Sequence, residues 1–78
     1  MTLDQVPTRT AVIVATVTLP DAEQRRLTEL GVRHGARVEV LRRAPFGGPL
    51  ALRVADALLA LRRTQAARIV VAEAADHA

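Results

Sequence analysis

Residues Arg25–Val40 read RRLTELGVRHGARVEV, and the change of rhythm inside this stretch decides the fold. Leu27 and Leu30 stand one helical turn apart, whereas Val38 and Val40 alternate with Arg37, Glu39 and Leu41 at the period of a strand. Gly31 follows the last helical apolar residue, at the position where a left-handed backbone ends a helix and where a residue without Cβ is favoured. Val32 is placed to pack back on the last turn. Gly35 then falls in the turn that leads into the strand RVEVLRR.

Upstream, TAVIVATVTL (Thr10–Leu19) is rich in β-branched residues and bounded by Pro7 and Pro20, which predicts a first strand buried on at least one face. Asp21 is the expected N-cap of the helix, with Gln24 in the capping-box position, and the helix is expected to run to about Leu30. Its buried stripe is formed by Leu27 and Leu30, against a polar face of Arg25, Thr28 and Glu29.

Downstream, APFGGPL interrupts the alternation with a loop rather than a two-residue turn. Leu50, Leu52 and Val54 then share one face, a turn follows at Ala55-Asp56, and a fourth strand turns Leu59 and Leu61 to the core. Asp56 tolerates positive φ better than most residues and is expected to hold that turn. Thr64 is the expected cap of a single helical turn, TQAA, and the last strand, RIVVAE, brings Ile69 and Val71 inward. The tail, residues 74–78, has nothing to anchor it and is expected to be flexible. Five short strands, one short helix after the first and one helical turn before the last make a mostly β, small, partly open barrel, a single domain over residues 1–73.

A chain of 78 residues with 50% hydrophobic content forms one domain, because at this size only about 60% of the unfolded surface is buried. The absence of cysteine excludes disulfides and a thiolate zinc site. No signal-peptide pattern opens the chain and no segment approaches the ~20 apolar residues of a membrane span, so a soluble cytoplasmic protein without membrane insertion is expected. All 11 basic residues are arginine, interleaved with Glu23, Glu29, Glu39 and Asp56 to a net charge of +3, a mixed surface rather than a nucleic-acid stripe.

The spacing R-R-L-x-x-L-G-x-x-x-G-x-x-V-x-V from Arg25 to Val40, Ala44-Pro45 with Pro49, and L-R-x-x-x-A-x-x-I-x-V from Leu61 to Val71 resembles the FeoA family. It is also similar to the third domain of iron-dependent repressors of the diphtheria-toxin-repressor type. The resemblance covers Leu3 to Val71 and implies an SH3-like fold and a role in ferrous iron uptake. Two departures stand out: the family pattern carries a glycine near Thr8 and another near Ala55-Asp56, and this chain has neither.

For chemistry the sequence offers little. His34 and His77 supply one nitrogen each, far apart and without a carboxylate cluster, so no metal site is assigned and no cofactor is expected. Serine and cysteine are absent and no phosphate-binding glycine motif occurs, so no catalytic residue is assigned. With one Phe and no Trp or Tyr, neither a proline-peptide groove nor a base-stacking surface can be built. What remains is protein contact. Phe46, in the proline-held loop, is either a lid over the barrel end or an interface anchor. Arg42, Arg43, Arg62 and Arg63, paired beside the loop and the last helical turn, suit an acidic partner surface.

The resemblance implies a non-enzymatic partner of the cytoplasmic part of a FeoB-type ferrous iron transporter, a monomer or weak oligomer held at the inner membrane only through that transporter. Its rivals are an interaction module of an iron-dependent transcription regulator and a nucleic-acid-binding SH3-like barrel.

Overall fold

The alternation of Val12 with Val14, Val38 with Val40, Leu50 with Leu52 and Val54, and Ile69 with Val71 becomes the inner face of a curved sheet in the computed structural model, which describes residues 1–74. Residues 75–78, with His77 and most of the expected flexible tail, lie outside the described residues. In chain order the elements are β1 (Thr10–Val17), α1 (Asp21–Glu29), β2 (Arg37–Arg43), β3 (Leu50–Val54), β4 (Ala57–Leu61), α2 (Arg63–Ala66) and β5 (Ile69–Glu73). All strand pairs are antiparallel, in the order β4-β3-β2-β1-β5.

Register shifts between Val14 and Thr16 in β1 and between Val40 and Arg42 in β2 bend these strands, as extra residues in a ladder do. The sheet curls around its core without closing, so the expected mostly β, partly open architecture is the one observed. Val38, Val40, Leu61, Ile69 and Val71, all expected inside, are buried there.

One part of the core is absent from the sequence reading. Leu3–Gln5 forms a 3₁₀ turn, and Leu3 and Val6 are fully buried. The N-terminal segment also lies along β5: Val71 N–H donates to the Met1 carbonyl at 2.8 Å, and Thr2 bridges Val70.

The helix ends as expected and begins differently. Val32 N–H donates to Leu27 O at 2.8 Å and Gly31 N–H to Thr28 O at 3.0 Å, the two bonds of a Schellman motif, with Leu27 and Val32 both buried. Gly31 has φ +101°, and a Cβ there would meet Val54 Cγ1 at 3.0 Å, so both conformation and space require glycine. Gly35 sits in the expected turn, its N–H donating to Val14 O at 2.8 Å.

At the start, Pro20 rather than Asp21 is the N-cap: Gln24 N–H donates to Pro20 O at 2.9 Å, and Asp21 is already helical. Its carboxylate, in the first turn, complements the helix dipole instead. Leu30 is a further correction. It lies past the end of α1 as the C-cap and is 44% exposed, because the space between α1 and β4 beneath it stays open. Leu27 is the buried residue of the helix.

Two other local expectations change. In the β3–β4 turn Ala55, not Asp56, takes the positive φ, 53°. Positive φ at the first central residue alone is the pattern of a type II′ hairpin, which matches the right-handed twist of the strands. Before α2 the cap is Arg62, whose N–H donates to Gln65 Oε1 at 3.2 Å, and Thr64 lies inside the turn. Gln65 Nε2 also donates to Glu23 Oε1 at 3.0 Å, tying α2 to α1.

Candidate protein-interaction site

The loop between β2 and β3 is built by its prolines and glycines. Ala44 N–H donates to Pro49 O at 3.0 Å across its base, and Gly48 N–H donates to Pro45 O at 3.2 Å across its tip. The two central residues of that tip, Phe46 at φ 57° and Gly47 at φ 73°, are both left-handed, as a type I′ turn requires. Gly48 is fixed by space, since a Cβ there would stand 2.7 Å from Ala44 Cβ.

The phenyl ring is therefore carried on a short, cross-braced turn. It is fully exposed, at 104% of its reference area, which removes the lid reading. A bulky residue at positive φ costs roughly 1–2 kcal/mol. No burial offsets that cost in the isolated chain.

Arg42 and Arg43 were expected beside the loop and Arg62 and Arg63 beside the last helical turn; the structure brings Arg62 and Arg63 to the loop and turns Arg43 away. Gly47, Gly48 and Pro49 face Arg62, Arg63 and Thr64 across a shallow apolar hollow of about 310 Å³. Arg63 Nη1 comes within 3.9 Å of where a Gly47 Cβ would stand. Among the described residues the guanidinium groups of Arg42, Arg62 and Arg63 make no hydrogen bond or ion pair. Arg43 is half-buried, and its guanidinium donates to Val6 O at 2.7 Å and to Asp4 O at 2.6 Å. It holds the N-terminal segment against the sheet. The sequence could not show this, because the partners lie 37 and 39 residues away.

The sequence also missed that Pro49 and Thr64 line this hollow. The only signal for it was indirect: β3 and β4 are joined by two residues, so the start of β3 must return beside the end of β4.

His34 is exposed and its Nδ1 lies 2.6 Å from Ala15 O; since a carbonyl only accepts, Nδ1 carries the proton. Among the described residues no three of His, Cys, Asp and Glu converge on one point.

The fold and the residues matched decide the family. The FeoA domain model matches residues 1–73. The chain belongs to the FeoA family. FeoA from Chlorobium tepidum is 36% identical, with 99% of this chain and 74% of that one aligned at a TM-score of 0.90. The zinc-bound FeoA of Stenotrophomonas maltophilia, a prokaryotic SH3 domain protein, is 39% identical over 91% of this chain and 88% of that one, at a TM-score of 0.78. A manganese-dependent transcriptional repressor shares the fold alone, at 21% identity and a TM-score of 0.85 over 95% of this chain and 41% of that one. None of the curated proteins matches the chain in sequence. This FeoA chain thus falls in a family of ferrous iron transport, and no helix among its described residues is long and apolar enough to cross a membrane.

Proposed function

We propose that this FeoA protein is a non-enzymatic accessory of ferrous iron uptake that binds the cytoplasmic part of a FeoB-type transporter. It works in the cytoplasm, peripheral to the inner membrane through that partner. The observation that carries the reading is Phe46: a fully exposed aromatic held at positive φ on the loop whose Gly47 and Gly48 face Arg62 and Arg63, whose charges have no partner among the described residues. Strain of this kind is retained where it serves a task, and presentation of an anchor is a task that this turn performs. Aromatic and arginine side chains dominate interface energies when they become desolvated. Binding then biases the transporter by its difference in affinity for the transporter's conformations, with no covalent step.

The test is capture of the transporter's purified cytoplasmic domain by Phe46→Ala. Affinity is expected to fall roughly thirtyfold, the equivalent of about 2 kcal/mol, with the melting temperature nearly unchanged. The double variant Arg62→Gln, Arg63→Gln should weaken binding and flatten its salt dependence. Undiminished binding by the Phe46 variant removes the loop from the interface. Absence of any binding by the wild-type chain removes the transporter as partner.

A further inference from the structure

The two edges of the sheet are treated in opposite ways. β5 is covered: Val71 N–H donates to Met1 O and Val70 bridges Thr2. β4 pairs with β3 on one side only and ends the strand order on the other. Its sequence, ALLAL, holds no charge and no proline, and its register with β3 runs from Leu50↔Leu61 to Val54↔Ala57 without a bulge. Charges, prolines and bulges are the devices by which exposed edges are protected from pairing, and β4 has none of them. Leu58 on this edge is 70% exposed.

The hydrogen-bonding capacity of the edge follows from the hairpin. Val54 and Ala57 close a two-residue turn and form a hydrogen-bonded pair, so Ala57, Leu59 and Leu61 direct their backbone groups to β3. Leu58 and Ala60 direct theirs outward. An open groove of about 330 Å³ lies between α1 and β4, lined by Leu27, Leu30, Leu59 and Leu61 together with charged side chains, Arg62 among them.

We infer that β4 pairs antiparallel with β4 of a second copy of this chain, around a twofold axis through Leu59. In this register Leu58 of each copy exchanges both backbone hydrogen bonds with the second copy's Ala60, and the two Leu59 residues face each other as a close, non-hydrogen-bonded pair. Asp56, exposed at one end of the strand, then stands opposite the second copy's Arg62, exposed at the other end, and the symmetry makes this charge pairing twice. The edge is therefore complementary to itself in backbone, apolar surface and charge. A five-residue interface is small, so the dimer is weak, and its formation belongs to high local concentration.

Because the chain has no cysteine, single-cysteine variants report the register. Leu59→Cys is expected to form a disulfide-linked dimer on mild oxidation, since a close antiparallel pair brings Cα atoms within bonding range. Leu58→Cys, although at a more exposed position, is displaced along the strand from its own copy and should cross-link far less. Sedimentation equilibrium up to about 1 mM should show a monomer–dimer equilibrium that Ala60→Lys abolishes, with circular dichroism unchanged. Asp56→Arg should abolish it too, and adding Arg62→Asp should restore it.

A monomer at all concentrations overturns the inference, as does faster cross-linking of the Leu58→Cys variant than of the Leu59→Cys variant, or a dimer that persists in the Ala60→Lys protein. So does loss of capture of the transporter's cytoplasmic domain by Ala60→Lys in a monomeric wild type, which would assign the edge to a foreign strand. Phe46→Ala is expected to leave the dimer intact, which separates this inference from the proposed transporter contact.

Discussion

Among the described residues, three non-glycine residues have positive φ, namely Arg9 at 62°, Phe46 at 57° and Ala55 at 53°. Arg9 follows Thr8 and Ala55 precedes Asp56, at the two turns near which the resemblance led to the expectation of a glycine. The left-handed conformation costs a Cβ-bearing residue roughly 1–2 kcal/mol, whereas glycine loses about 0.4–1 kcal/mol through the greater freedom of its unfolded chain. The first effect is larger. Ala55→Gly is therefore expected to raise stability by about 0.5–1 kcal/mol in urea denaturation, and Arg9→Gly by a similar amount. A decrease in both would show that neither turn is strained. Phe46→Gly sets the same backbone relief against loss of the ring, so stability and transporter capture should move in opposite directions.

Each element rests on a few side chains, and these differ in how visible they were. Leu27→Ala is expected to cost about 2–4 kcal/mol, because it empties the contact between α1 and the core. Leu30→Ala should cost less than about 1 kcal/mol, since Leu30 keeps much of its surface in water. Equal losses in urea melts of the two variants would mean that the groove beside β4 closes in solution. Leu27, Gly31 and Val32 were legible because a helix C-terminus is written in adjacent residues.

The strands were legible for the same reason, as alternation is local. Leu3, Val6 and the grip of Arg43 were not, because their partners lie far along the chain and a three-residue turn has no period of its own. Cap positions were misread by small shifts: Pro20, one residue before Asp21, is the N-cap of α1, and no side chain caps it. Of the candidate site, the loop followed from Pro and Gly placement, whereas the sequence left Phe46 between a lid and an exposed anchor. Which arginines face it depended on the path of β3 and β4, which only the fold fixes.

At the scale of the whole molecule, the N-terminal segment joins core, edge and loop base. Leu3 and Val6 fill the interior, Met1 and Thr2 cover β5, and Arg43 fastens the segment from the far side. Arg43→Met keeps most of the stem but loses both hydrogen bonds, and the two carbonyls lose a charged donor. Hydrogen bonds to charged groups contribute roughly 1.5–3 kcal/mol, so a loss of about 2 kcal/mol or more in denaturant melts is expected, with faster amide exchange at Val71. Unchanged exchange there would mean that the cover on β5 does not depend on this arginine.

The same cover sets an order of events during synthesis. Met1 and Thr2 bond to Val71 and Val70, and β1 also takes β5 as a neighbour, so the first-made part of this domain waits for the domain's last strand. A nascent chain stalled before Ile69 emerges has the hairpins of β2, β3 and β4 available but an unsealed interior, with Leu3, Val6, Val12 and Val14 lacking their closing wall. Protease resistance should therefore appear in one step as β5 clears the exit tunnel rather than build up with length.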